Sequence, residues 1–126
     1  MSVNSRAKGA RGELEAVKFL KGLGYQARRT QQYCGSAGDS DVALEDYPDL
    51  FIEVKFGYPK DKIDLGSVMW EEAIKQCCLD AGRKPWLLLW KPKQCREWRV
   101  TLLDRGFPVT VVGGPGLLQA MTILNA

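Results

Sequence analysis

The chain reads as a mixed α/β protein, an α+β arrangement in which a central mixed β-sheet is flanked by helices. Three observations predict it. Helical periodicity occurs in two well-separated segments, Gly9–Leu23 and 67–82. Runs rich in β-branched, aromatic and aliphatic residues fill the stretches between and after them. One of these, WLLLW at Trp86–Trp90, is apolar at every position, as a buried strand is.

Each element can be justified in turn. In Gly9–Leu23 the apolar positions Leu14, Val17, Leu20 and Leu23 give a stripe, and Gly24 ends the helix. YQARRT is a short strand, and QQYCGSAGDS is a polar loop rich in turn-forming residues. Two strands follow, Asp41–Leu44 and Leu50–Phe56, joined by the turn EDYPD with Pro48 inside it. After a loop from Gly57 to Gly66, SVMWEEAIKQCCLDAG makes a helix with Trp70, Ile74, Cys77 and Ala81 on one face and Gly82 at its end. WLLLW, WRVTLL and FPVTVV are strands, GGPG at Gly113–Gly116 is punctuation, and LLQAMTILNA suits a helix or a strand.

The 126 residues fit a single domain, 1–126, large enough to bury a real core. No run is long and apolar enough to span a bilayer, and the basic amino terminus lacks the apolar segment of a secretory signal. A cytoplasmic protein with no membrane partner is expected. In that compartment Cys34, Cys77, Cys78 and Cys95, which form no CxxC pair, are expected as free thiols. Histidine is absent, which removes Ser-His-Asp hydrolases, Cys-His proteases, HNH-type nucleases and His-ligated zinc enzymes. Catalysis would have to rest on carboxylates, lysine, tyrosine, cysteine or an oxygen-bound metal.

The net charge of +3 is mild, but its distribution is uneven. Arg6, Lys8 and Arg11 cluster at the start, Arg28 and Arg29 follow the first helix, and KPKQCREWR sets Lys91 and Arg99 around Trp98. Basic clusters with interleaved aromatics suit a phosphate backbone and exposed bases, although any one of them also reads as solvated surface.

The chemistry concentrates in four positions. Glu13 falls on the same helical face as Val17 and Leu20, so its carboxylate is either paired with a cation at the sheet or drawn toward a metal. In LFIEVKF, alternation puts Glu53 and Lys55 on one strand face, roughly 7 Å apart. With the turn centred near Tyr47, Asp41 falls opposite Glu53, their Cβ atoms about 5 Å apart. Asp41, Glu53 and the Val54 carbonyl could then hold Mg²⁺, with water and phosphate oxygens completing the shell and Lys55 beside the bound water. Glu53 and Lys55 alone would equally be a surface ion pair.

The set Glu13, Asp41 and Glu53-Val54-Lys55 resembles the signature of the PD-(D/E)XK nucleases, and its order and spacing are similar to those of the archaeal and phage Holliday junction resolvases. KGARGELEAVKFL resembles the opening helix, RRTQQYCGSAGDSDV the glycine-rich approach to the metal aspartate, and FIEVK the catalytic strand; EEAIKQCCLDAGRKPWLLLWK resembles the helix and strand that follow. The likeness covers about Arg6 to Leu103. Ser40 stands where those enzymes often have proline, and Asp39 competes with Asp41 for the ligand position; Asp41 is preferred because it begins the strand, with Asp39 as an outer-shell residue.

This resemblance implies a restriction-endonuclease-like core and a Mg²⁺-dependent endodeoxyribonuclease, Mn²⁺ substituting, that resolves four-way DNA junctions by paired nicks and leaves 5′-phosphates and 3′-hydroxyls. Glu13, Asp41, Glu53 and Lys55 would be catalytic, Glu13 binding the ion through water or completing a second metal site. Gln76, on the second helix, would touch water or phosphate at the edge of the site, or be an ordinary solvated residue. Arg6, Lys8, Arg11, Arg28, Arg29, Lys91 and Arg99 would hold backbone phosphates. A homodimer is expected, with WLLLW or the Val109–Leu124 region as its surface. Rival readings keep the chemistry on linear or damaged duplex, as a nicking or restriction-like nuclease, or reduce the chain to a non-catalytic DNA-binding module.

Overall fold

The computed structural model describes residues 2–30 and 40–125, with side chains for 9–30 and 40–125. In chain order the elements are α1 (Ser2–Gly22), β1 (Ala27–Arg29), β2 (Val42–Leu44), β3 (Tyr47–Phe56), α2 (Val68–Ala81), β4 (Trp86–Lys91), β5 (Arg99–Asp104), β6 (Phe107–Val112) and α3 (Gly113–Leu124). The strands form one six-stranded sheet in the order β1-β2-β3-β4-β5-β6. All neighbours are antiparallel except β3 and β4, which α2 connects as a parallel βαβ unit. The architecture is α+β, a mixed sheet flanked by three helices, and is compatible with a restriction-endonuclease-like core.

Two apolar layers hold the sheet. On one face α1 and α3 bring Ala16, Val17, Leu20, Leu117, Ala120 and Met121 against Val42, Ile52, Leu87, Leu89, Val100 and Leu102. On the other, α2 brings Ala73, Cys77 and Ala81 against Phe51, Trp86, Leu88 and Trp90. Every residue of Trp86–Trp90 is buried. The all-apolar run WLLLW is therefore the central strand, covered on both faces, and offers no dimer surface; of the two expected surfaces only Val109–Leu124 reaches the outside, at the edge strand β6 and on α3. Beneath α2, Thr101 Oγ1 accepts from the indole N–H groups of Trp90 at 2.9 Å and Trp70 at 3.2 Å and pairs with Thr110 Oγ1 at 2.7 Å.

Several elements depart from the sequence expectations. The first helix begins at Ser2 rather than Gly9, since residues 2–8 contain no proline and include good helix formers. Leu14 is 53% exposed; the buried stripe is Gly12, Ala16, Val17 and Leu20. The helix is turned this way because Gly12 lets it approach β3 closely. A Cβ at that position would lie 2.5 Å from the Cβ of Phe56.

The tail is helical, and α3 absorbs the GGPG segment instead of following it. Pro115 stands in the first turn, where its missing N–H is no loss. Gly113 enters the helix with φ 74°, and a side chain there would run into the Glu97 carboxylate. The β2–β3 turn is the two-residue Glu45-Asp46, with Leu44 paired to Tyr47, so Pro48 belongs to β3 rather than to the turn.

Candidate active site

That turn decides where Asp41 falls. Regular pairing from Leu44↔Tyr47 would set Asp41 opposite Leu50. Instead the ladder is interrupted, and at Val42 the partner is Ile52, three residues further along β3. Pro48, with no N–H to give the ladder, stands in the displaced stretch. The shift brings Asp41 opposite Glu53, as the sequence analysis expected, but by way of an irregular ladder and not a turn centred on Tyr47.

The backbone fixes the pair in place. The Asp41 N–H donates to the Ile52 carbonyl at 2.8 Å, and Asp41 Oδ2 accepts from the Val54 N–H at 2.8 Å. Here β2 ends while β3 runs on beside β4, so the sheet forks at Asp41. A strand residue's N–H and C=O point to the same side, so the Val54 carbonyl also faces the fork. Lys55 Nζ stands 3.9 Å from Glu53 Oε2, with the two side chains 31% and 17% exposed. Asp41, Glu53, Val54 and Lys55 line a cleft of about 180 Å³ together with Gly9, Gly12, Phe56 and Tyr58.

Burial and the neighbouring Asp41 carboxylate push the Glu53 carboxyl up to about 8, against the opposing pull of Lys55; a hydrogen bond with Asp41 raises it further. Burial beside a second carboxylate therefore favours the protonated form of Glu53 unless a cation takes the proton's place. The oxygen-only donors facing the fork suit a hard divalent ion. Among the described residues no group of three or more Asp, Glu, Cys or His side chains converges on a metal position. Mg²⁺ needs few protein ligands where water and phosphate complete its octahedron.

Alternation from Phe51 sends Glu53 and Lys55 toward the α2 face, while Asp41 turns into the fork to meet the Val54 N–H. Glu13 belongs to α1, and its Oε1 accepts from Arg29 Nε at 3.0 Å. Of the two readings of this inward carboxylate, the described residues contain the ion pair. Burial raises the Glu13 pKa, the Arg29 hydrogen bond lowers it, and the charge of Asp41 still reaches it. Gln76 is exposed on α2 and donates to Asp80 Oδ1 at 2.8 Å, one turn along. Asp39 lies outside the described residues, as do the side chains of Arg6 and Lys8 and the whole of Cys34.

The basic residues gather at one end of the sheet rather than on one face. Arg28 and Arg29 close β1, Lys91 closes β4 and Arg99 opens β5, all at the end where β3 terminates. The amino-terminal half of α1, carrying exposed Arg11, overlies the same end. Lys91 lies over the Trp98 ring at 5.9 Å and Arg99 over Trp90 at 5.3 Å. Exposed Lys60, Lys62, Lys93 and Arg96 extend this rim, and two backbone bonds, Gly57 N–H to Lys91 and Lys93 N–H to Tyr58, tie the loop after β3 to it.

A relative is known by sequence. The chain is 35% identical over 69 residues to a UPF0102 protein of Caldicellulosiruptor saccharolyticus. The match takes in 50% of this chain and 58% of that protein, so the chain spans little more than half of its relative's length. No family model matches the chain.

Sequence reasoning missed Gly9, Tyr58 and the Asp80 carboxylate, whose charge reaches Glu53. None of them sits in a spaced pattern; Tyr58 and Gly9 come to the cleft only because the loop after β3 and the start of α1 meet at the fork. Cys77 is buried beside the same charges, and burial together with Glu53 raises its pKa, which keeps the thiol protonated. Cys77, Cys78 and Cys95 are free thiols. Among the described residues no helix is long and apolar enough to cross a membrane.

Proposed function

We propose that this protein is a Mg²⁺-dependent endodeoxyribonuclease that resolves four-way DNA junctions by paired nicks. The observation that carries the reading is the convergence of Asp41, Glu53 and Lys55 at a fork in the sheet, open to a cleft and ringed by cations. The UPF0102 relative adds support for the broader reading, a nuclease of the PD-(D/E)XK superfamily, since that family is related to those enzymes.

In this reading Asp41, Glu53 and the Val54 carbonyl hold the ion. When bound, it supplies positive charge against the scissile phosphate and acidifies an attacking water. Lys55, held beside Glu53, orients that water and offsets the negative charge that builds on the phosphate oxygens. Asp41 is kept in line by the Val54 N–H, which orients its carboxylate at the fork. Arg29 steadies Glu13 and with it the angle at which α1 closes the fork. The rim of Arg11, Arg28, Lys91 and Arg99 meets phosphates without reading bases, which suits recognition by shape. Two symmetric incisions need two copies of the site, hence a homodimer.

The test is purified protein with Mg²⁺ or Mn²⁺ against a four-way junction, a nicked fork and a linear duplex of shared sequence, beside Asp41→Asn and Lys55→Ala. The expected result is paired junction nicks by the wild type and none by the variants, with junction binding retained. Equal cutting of linear duplex would leave the general nuclease and remove the resolvase. Unchanged nicking by either variant would show the site to be elsewhere.

A further inference from the structure

Two glycines one turn apart, Gly9 and Gly12, form the α1 wall of the cleft, and packing accounts for only one of them. Gly12 is required by the fold, because its Cβ would overlap Phe56. Gly9 is not. Among the described residues a Cβ there would meet nothing within 4 Å, and its backbone is helical, with no turn or close approach that calls for glycine. Glycine inside a helix is unfavourable relative to alanine, since it exposes backbone and loses more chain entropy on folding. What adjoins this bare stretch of backbone is the cleft itself, which Asp41, Glu53, Lys55 and Tyr58 also line.

We propose that Gly9 is a substrate-positioning residue: it leaves room for the sugar-phosphate backbone at the scissile position to lie directly against α1, with Tyr58 bounding it on the opposite side. This rests on the nuclease reading above and deepens it. The cleft, about 180 Å³, has room for a phosphodiester with part of its flanking sugars. A strand that entered by its backbone would be consistent with contacts that ignore sequence. Gly9 and Gly12 share a helical face, so a side chain at position 9 projects toward the fork and competes with that backbone for the same space. A methyl group is enough to displace a reacting phosphate by about 1 Å, a shift that can cost on the order of 100-fold in rate.

Gly9→Ala and Gly22→Ala separate this role from a structural one. Both glycines lie on α1 with nothing among the described residues within 4 Å of the added Cβ, and of the two Gly9 lines the cleft. Each substitution should raise Tm, by about 2–4 °C for the gain in helix propensity. With Mg²⁺ and a DNA that the wild type cleaves, Gly9→Ala should lower kcat/KM at least tenfold and Gly9→Leu further, while Gly22→Ala cleaves at the wild-type rate. Gly9→Ala cleaving as fast as wild type would overturn the inference and leave the nuclease reading intact. A wild-type protein that cleaves no DNA removes the nuclease reading and this inference with it.

Discussion

Replacing Glu53 by glutamine should make the metal-free protein more stable at alkaline pH and, on the nuclease function proposed above, should end divalent-ion binding. The native carboxyl keeps its proton up to about 8, against 4.5 for the free side chain. Between those values the folded state binds a proton that the unfolded chain has already lost, so the stability of the wild type falls as pH rises across that window. The slope is at most about 1.4 kcal/mol per pH unit, which gives a limit near 5 kcal/mol above pH 8. The side chain keeps 17% exposure, and we expect about 3 kcal/mol of that limit to be expressed. Glutamine does not titrate and can still donate to Asp41.

The assay is urea denaturation in EDTA at intervals from pH 4.5 to 9. Wild type and Glu53→Gln should be similar near pH 4.5 and diverge steadily, the variant ahead by about 3 kcal/mol at pH 8.5. Adding Mg²⁺ or Mn²⁺ at pH 8 should raise the wild type and leave the variant unmoved, since only an ion that binds the native state stabilises it. Parallel pH profiles for the two proteins would refute the argument, because Glu53 would then ionise in the folded protein as it does in water.

Three other outcomes follow from the packing and charge. Gly12→Ala should destabilise by about 2–3 kcal/mol, the cost of forcing a Cβ into Phe56 and prising α1 from β3, read from thermal denaturation. Thr101→Val, nearly isosteric, strands the indole N–H groups of Trp70 and Trp90 and should cost about 2–4 kcal/mol, with a change in tryptophan fluorescence. Arg28→Ala combined with Arg11→Ala should weaken binding to a non-cleavable junction and flatten its salt dependence by about two counterions; an unchanged slope would place both arginines away from DNA.

Much of the architecture was legible in residue order, because its determinants are local. Alternation in LFIEVKF put Glu53 and Lys55 on one face, the uniform apolarity of WLLLW marked a buried strand, and the stripe of Cys77 and Ala81 with Gly82 marked α2 and its end. The absence of histidine limited the chemistry to carboxylates, lysine and an oxygen-bound metal before any fold was known. Such features depend on periods of two and 3.6 residues and on side-chain type, which a chain carries wherever it lies.

Tertiary structure decided what depends on pairing between distant segments. The displacement of the ladder near Pro48 selects Glu53 over Leu50 as the partner of Asp41, and no periodicity encodes it. The approach of α1 to Phe56 turns Leu14 outward and Gly12 inward, because the helix rotates until its smallest residue meets the sheet. That same rotation brings Glu13 to Arg29 and Gly9 to the cleft wall. In sequence, four carboxyl- or amine-bearing side chains formed one constellation; in space Asp41, Glu53 and Lys55 line one cleft, while Glu13 pairs with Arg29 within reach of the Asp41 charge, because the packing of α1 on the sheet and not residue order fixes its partner.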